Sequence, residues 1–291
     1  MKLTILITGG TGFLGSYVIK KLLSMNLKII LLKRTTSNTF RIKDYIHKCK
    51  VYDIEKTNIE SIFSKNELDI VLHMATDYGR KKENVINLVE INLMLPLKLL
   101  SLCKKYEIKN FINTDTILDK RINSYTLSKN HFKNWLEYFS NEIVCVNVLL
   151  EHFYGPGDDL SKFTTFVIHN LIKKIDKLNL TLGEQKRDFI FIDDVVDAII
   201  LIINNLKTQK GFYQYEIGSG INTSIKDFVL KVAKISGNTS TKLNFGALAY
   251  RKNEVMQSVV NNKEIIKLGW APKISLDEGI QKTVNSEKDL N

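Results

Sequence analysis

Short apolar and β-branched runs recur along the first half of the chain, near 3–8, 27–32, 48–52, 69–75, 109–114 and 143–150. Between them, near 12–25, 56–66, 83–105 and 124–141, the polar and apolar positions follow a helical period. The first pattern predicts buried strands and the second amphipathic helices. Alternation of the two predicts a parallel sheet with helices on both faces, whose ligand lies beyond the carboxyl ends of the strands. After residue 150 the rhythm becomes irregular. The loop Tyr154-Gly155-Pro156-Gly157-Asp158-Asp159, followed by an apolar helix near 161–175, opens a smaller lobe. No repeat, low-complexity tract or long linker separates the two, so interleaved lobes are expected. The first comprises 1–150 with segments near 188–218 returning to it, and the second 151–187 and 219–291.

Composition narrows this picture. At 291 residues the chain can bury a substantial core. No run of about 18 apolar residues and no signal pattern is read from the sequence, so a cytoplasmic protein without a membrane partner is expected. Cys49, Cys103 and Cys145 are odd in number and widely spaced, which predicts reduced structural thiols and no metal site. The formal charge of +11 is scattered along helices, as at Lys104-Lys105 and Lys173-Lys174. It therefore predicts a solvated basic surface, suited to an anionic small molecule and not to nucleic acid.

The first strand runs into Thr8-Gly9-Gly10-Thr11-Gly12-Phe13-Leu14-Gly15, at a strand-to-helix turn. Gly9, Gly12 and Gly15 allow a tight turn, close approach to a pyrophosphate and packing of helix on strand, with Phe13 and Leu14 opening the helix whose amides face the phosphates. A dinucleotide site is expected. The second strand ends in Lys33-Arg34-Thr35-Thr36 where an NAD site usually carries an acidic residue. Arg34 suits a ribose 2′-phosphate, so NADP(H) is preferred to NAD(H). Asp53 and Ile54, after the third strand, are placed to frame the adenine, although an Asp there also serves as a simple turn or cap. Tyr125 and Lys129 lie four apart on a predicted helix and so share a face. A phenol titrates too high for easy proton transfer, and a neighbouring ammonium lowers it. Thr114, at the predicted end of the fifth strand, completes a set suited to hydride transfer with proton exchange at one oxygen.

With these motifs the chain resembles the extended short-chain dehydrogenase/reductase family, in its nucleotide-sugar epimerase, dehydratase and reductase branch. Further matching segments are His73-Met74-Ala75-Thr76, Asn92, Tyr154-Gly155-Pro156-Gly157, the run from Arg187 to Val195, Ile217-Gly218-Ser219-Gly220 and Leu268-Gly269-Trp270-Ala271-Pro272. The resemblance implies an α/β fold, a Rossmann-type doubly wound parallel sheet with a smaller, interleaved C-terminal substrate lobe, and commonly a homodimer through the helices near 83–105 and 124–141. It implies that Ala75 and Thr76 line the nicotinamide side and that Asn92 belongs to the cofactor site. Arg187 and Arg251 pair with a nucleotide-sugar diphosphate, with His152 in place of a usual Asn near it. Tyr78 and Phe163 fall near the predicted cleft, where they touch sugar or base or pack in the core.

Within that branch a dehydratase follows its Thr with Asp-Glu, whereas Thr114 is followed by Asp115 and Thr116. The missing Glu argues against water loss. Asp115 is left as a contact to a neighbouring sugar hydroxyl. Segments around 113–116, 150–158, 183–189 and 253–256 are similar to the CDP-abequose and CDP-paratose synthase group, apart from Leu149 where the branch commonly has Arg. That group implies NADPH-dependent 4-keto reduction of a nucleotide-linked deoxyhexose in surface-polysaccharide biosynthesis. An epimerase retaining NAD(P), and a non-catalytic dinucleotide sensor, stay as alternatives.

Overall fold

A computed structural model describes residues 2–79 and 84–289. The apolar runs form β1 (Thr4–Thr8), β2 (Lys28–Lys33), β3 (Lys50–Asp53), β4 (Ile70–His73), β5 (Asn110–Thr116) and β6 (Val144–Leu150). Between them lie α1 (Phe13–Ser24), α2 (Ile59–Ser64), α3 (Val85–Val89), a π-helical turn Glu90–Met94, α4 (Leu95–Lys105) and α5 (Ser124–Phe139). Then follow β7 (His152–Tyr154), α6 (Phe163–Ile172), β8 (Lys177–Asn179), β9 (Lys186–Phe191), α7 (Ile192–Asn204), β10 (Gly211–Ile217), β11 (Asn222–Ser224), α8 (Ile225–Ser236), β12 (Lys242–Asn244), α9 (Lys263–Lys267) and α10 (Leu276–Asp289).

Seven strands make one sheet in the order β10-β6-β5-β4-β1-β2-β3, and the pairs β1·β2, β1·β4, β2·β3 and β4·β5 are parallel. The strand order reverses between β1 and β4, which opens a crevice at their carboxyl ends. Leu6, Ile30, Val71 and Phe111 from the sheet, with Leu99, Cys103, Phe132 and Leu136 from the helices, form a buried cluster on one face. This is the Rossmann-type sheet that the alternation predicts.

The chain divides into two compact units, Met1–Leu149 with Val196–Tyr215, and Leu150–Val195 with Glu216–Asn291. The segment that returns to the first unit is thus shorter than 188–218. The reason is β9, which pairs with β7 in parallel and β11 antiparallel in a separate three-stranded sheet. That sheet carries Phe189, which stacks on Phe228 of α8 at 4.4 Å between ring centroids.

Among the described residues one helical run, Val85–Lys105, is long and apolar enough to cross a membrane, which departs from the sequence expectation. Its inner face, with Leu88, Asn92, Leu99, Leu100 and Cys103, is buried, and it packs on β4, β5 and α5. That burial is the behaviour of a helix covering a sheet.

Candidate active site

The first unit gathers most of the predicted cofactor residues at the carboxyl ends of β1, β2 and β4. Gly9 has φ +72°, and a Cβ there would strike the Met74 carbonyl and the Ala75 amide. A Cβ on Gly15 would strike the Gly9 carbonyl and Gly10 Cα. Gly12 donates to that same carbonyl at 3.0 Å and caps α1, which has no side-chain cap and no acidic residue in its first turn. Phe13 and Leu14 are buried as the helix begins. The result is a backbone cradle at a helix N-terminus without a side-chain cap, and it fits a pyrophosphate.

At the end of β2, Arg34 is exposed, and its backbone makes a short turn with Ser37. The next residue carries contacts that sequence reasoning missed. Thr35 donates its hydroxyl to Asp53 at 2.5 Å and its amide to Glu55 at 3.1 Å. The Thr35 hydrogen bond holds the Asp53 carboxyl below the usual carboxylate range. Asp53 therefore ties the β2 and β3 turns together, the cap reading that its position also allowed. Ile54 donates its amide to Lys33 and packs against the core.

Beyond β4, Ala75 donates to Thr8 Oγ1 at 3.3 Å, and the same hydroxyl meets His73 Nδ1 at 2.8 Å. His73 is fully buried, and among the described residues its Nε2 has no hydrogen-bond partner. Burial, with the Lys129 charge second, pushes its pKa well below the ordinary value and keeps the ring neutral. Asn92, expected at the cofactor, is enclosed behind the loop. Its Oδ1 accepts from the Asp77 amide at 2.8 Å and the Thr76 hydroxyl at 3.3 Å, while Nδ2 donates to Asp77 O and Ser128 Oγ. The π-helical turn that carries it tethers the Thr76 loop to α5, an arrangement frequent at functional sites.

Asn123 starts α5 with a capping box, accepting from Thr126 N at 3.0 Å and donating its own amide to Thr126 Oγ1 at 3.3 Å. This fixes the first turn, where Tyr125 stands half-buried with its ring 5.1 Å from that of Tyr78. One turn on, the Lys129 side chain is enclosed and donates to the Thr114 carbonyl at 2.6 Å. Burial lowers its pKa and the Asp115 carboxylate opposes that shift. The Thr114 hydroxyl donates to His73 O at 3.3 Å. Asp115 is directed inward, accepting from Thr116 N at 2.7 Å and from Asn147 at 2.9 Å, and Asn147 accepts from Asn113. Both of its oxygens are therefore engaged within the unit and not turned outward to a sugar.

The second unit holds the other predicted substrate residues. Arg187 is buried and donates to Glu254 at 2.5 Å and to Lys186 O at 2.8 Å. Burial works against its charge, Glu254 and Glu151 favour it, and nearby Arg251 opposes it. Arg251 itself is exposed. His152 meets the Glu151 carboxylate through Nδ1 at 3.0 Å. Phe163 touches Phe228 at 6.1 Å between centroids but stays exposed at the start of α6, so it is not a core residue.

A glycine cradle and a Tyr/Lys pair on a Rossmann-type sheet define a dinucleotide-dependent oxidoreductase. The chain matches the NAD dependent epimerase/dehydratase family over residues 5–218. It is 34% identical to CDP-abequose synthase of Salmonella typhimurium, over 97% of each chain. Among solved structures it is similar to the UDP-glucose 4-epimerase of Thermotoga maritima with UDP-glucose, at a TM-score of 0.88 and 24% identity, covering 99% of this chain and 100% of that one. It is also similar to the UDP-glucose 4-epimerase of Thermus thermophilus in complex with NAD, at a TM-score of 0.84 and 20% identity, covering 98% and 99%. The protein belongs to the NAD dependent epimerase/dehydratase family, and it is an enzyme of the short-chain dehydrogenase/reductase type.

Proposed function

We propose that this enzyme reduces the 4-keto group of a nucleotide-linked deoxyhexose, a CDP- or dTDP-linked 4-keto-6-deoxy or 3,6-dideoxy sugar, with NADPH as exchangeable reductant. It works in the cytoplasm on sugars destined for a surface polysaccharide. The observation that carries the reading is Lys129, enclosed one turn beyond Tyr125 and bonded to the Thr114 backbone, in a chain similar to CDP-abequose synthase.

The dinucleotide, when bound, supplies the hydride. Gly9, Gly12, Phe13, Leu14 and Gly15 seat its pyrophosphate, Arg34 its 2′-phosphate, and Ala75 and Thr76 flank the nicotinamide. Tyr125 donates the proton to the sugar's 4-oxygen as charge develops there, and the Thr114 hydroxyl holds that oxygen. Lys129 favours the phenolate through its charge and restrains the nicotinamide ribose. Position 116 is Thr where a dehydratase has Glu, so this chain has no second acid-base group there for water loss. In the second unit His152, Arg187 and Arg251 take the substrate's diphosphate, for which guanidinium forks are matched.

One observation favours a second reading, an epimerase that retains NAD. Asp53 and Glu55 converge on Thr35 at the end of β2, and carboxylates there suit a ribose 2′-hydroxyl better than a phosphate. The two readings separate in one experiment: purified enzyme, NADPH or NADH, and a panel of CDP- and dTDP-linked 4-keto sugars, followed by near-ultraviolet absorbance. Stoichiometric loss of NADPH supports the reductase. Isomerised sugar without net oxidation refutes it.

We also propose a homodimer. Val85, Ile86 and Met94, with Leu127, Trp135 and Tyr138 on α5, are large apolar side chains left exposed on this unit. Light scattering tests it directly, since Trp135→Glu is expected to yield a monomer.

A further inference from the structure

The Glu151 side chain is fully enclosed in the second unit. Burying a carboxylate is costly unless it is compensated. Two residues bond it. His152 brings its backbone amide to Oε2 at 3.2 Å and its Nδ1 to the same oxygen at 3.0 Å. Ser258, 107 residues away in sequence, donates its hydroxyl to Oε1. Ser258 is delivered there because its segment runs beside the start of β9: Lys186 N donates to Met256 O at 2.8 Å, and Ser258 N to Lys186 O at 3.3 Å. Arg187 lies near enough to feel the Glu151 charge, yet its own hydrogen bonds go to Glu254 and Lys186 O.

Among the described residues the His152 ring hydrogen-bonds only to Glu151, and it meets the Phe189 ring edge-on at 6.3 Å between centroids. With Glu151 as a carboxylate, which only accepts, the Nδ1 of His152 carries the hydrogen and Nε2 is the ring nitrogen open to a ligand. The side chain is 38% exposed, so a ligand can reach the ring. A proton on Nε2 makes an imidazolium that keeps its bond to Glu151 and gains a second donor. The charged groups that interact with Glu151 are Arg187 and Asp188 on β9, and Arg187 in turn feels Glu254 and Arg251 on the segment leading to Ser258.

We infer that Glu151, braced by Ser258, is a positioning residue that makes His152 a proton-dependent clamp for the diphosphate of the sugar nucleotide. This rests on the nucleotide-sugar reading above. A diphosphate brings negative charge to the outer side of a ring whose inner side already faces a carboxylate, and the two together favour the protonated ring. Substrate binding then takes up a proton from solvent onto Nε2 and weakens as pH rises. A neutral amide at the same position would give no such linkage.

The test is calorimetric titration of the full-length enzyme with CDP and UDP, near neutral pH, in buffers of different ionisation enthalpy. Wild type is expected to take up protons on binding. Glu151→Gln keeps the shape and an acceptor for Nδ1 but removes the charge. It is expected to abolish the uptake and weaken binding by about tenfold, the effect of losing one charge-assisted hydrogen bond, with the loss in turnover expressed in KM and not kcat. Should that variant not fold, His152→Asn carries the same test, since proton uptake has to vanish. Wild-type binding without proton uptake, or uptake that survives in either variant, overturns the inference alone. If neither nucleotide binds wild type, the functional reading falls with it.

Discussion

Replacing Lys129 with Met separates stability from catalysis. Met has nearly the same length and no charge. The change removes the 2.6 Å bond from Nζ to the Thr114 carbonyl, a charge-assisted interaction of about 1.5–3 kcal/mol. It also removes the cost of holding an ammonium in an enclosed position, which for a buried ion is several kcal/mol. The two oppose, so at neutral pH the variant is expected to be as stable as wild type to within about 1.5 kcal/mol. The pH dependence gives the sharper test. Burial places the folded pKa of Lys129 below its unfolded value, so between the two the unfolded chain binds more protons and wild-type stability rises with pH. Wild type should therefore gain on Lys129→Met by about 1.4 kcal/mol per pH unit in that window, which closes near the ordinary lysine pKa of about 10.4. Urea unfolding of both proteins between about pH 7 and pH 10 measures it. A stability difference that stays flat across that range refutes a destabilised buried ammonium. Turnover of the variant should fall by a factor of about 10²–10⁴ at every pH, as for loss of a general-acid system.

Tyr125→Phe should keep its melting temperature and dinucleotide affinity while kcat falls by about 10²–10⁴; near-normal turnover would remove Tyr125 from the chemistry. Gly15→Ala places a Cβ on the Gly9 carbonyl, so titration with NADPH should show affinity lost while the unfolding transition stays cooperative, and unaltered affinity would move the pyrophosphate elsewhere. His73 is buried neutral with a depressed pKa, so its contribution is complete above about pH 6.5 and lost as pH falls below that value. The stability difference between wild type and His73→Gln should therefore shrink on acidification from pH 6.5, and a constant difference counts against the assignment.

The sheet, its first helices and the glycine turn were legible because each rests on local periodicity or on a backbone demand that only glycine meets. Tyr125 and Lys129 were legible because four residues on a helix fix a shared face. Contacts made across long sequence separations were not. Nothing local marks Asn92 as the link between Thr76 and Ser128, because that role depends on a π-helical turn and on two other elements arriving. Asp115 reads as a substrate contact only until strand geometry is considered. It shares a face of β5 with Asn113, and Asn147 on β6 completes the chain of amides on that face. Glu151 was legible only as part of a matching segment; its partner Ser258 is brought in by the edge of β9. The extent of the returning segment was misread for a related reason, since β9 continues the apolar rhythm but pairs in a different sheet.

The proposed reaction is a net transfer of hydride to the sugar's fourth carbon. NADPH carrying deuterium at the transferable position of its nicotinamide, supplied with the CDP-linked 4-keto sugar that is turned over, tests it in one product analysis by mass spectrometry. One deuterium is expected at the carbinol carbon for each NADPH oxidised. Converted sugar without deuterium, and NADPH left unconsumed, would contradict it.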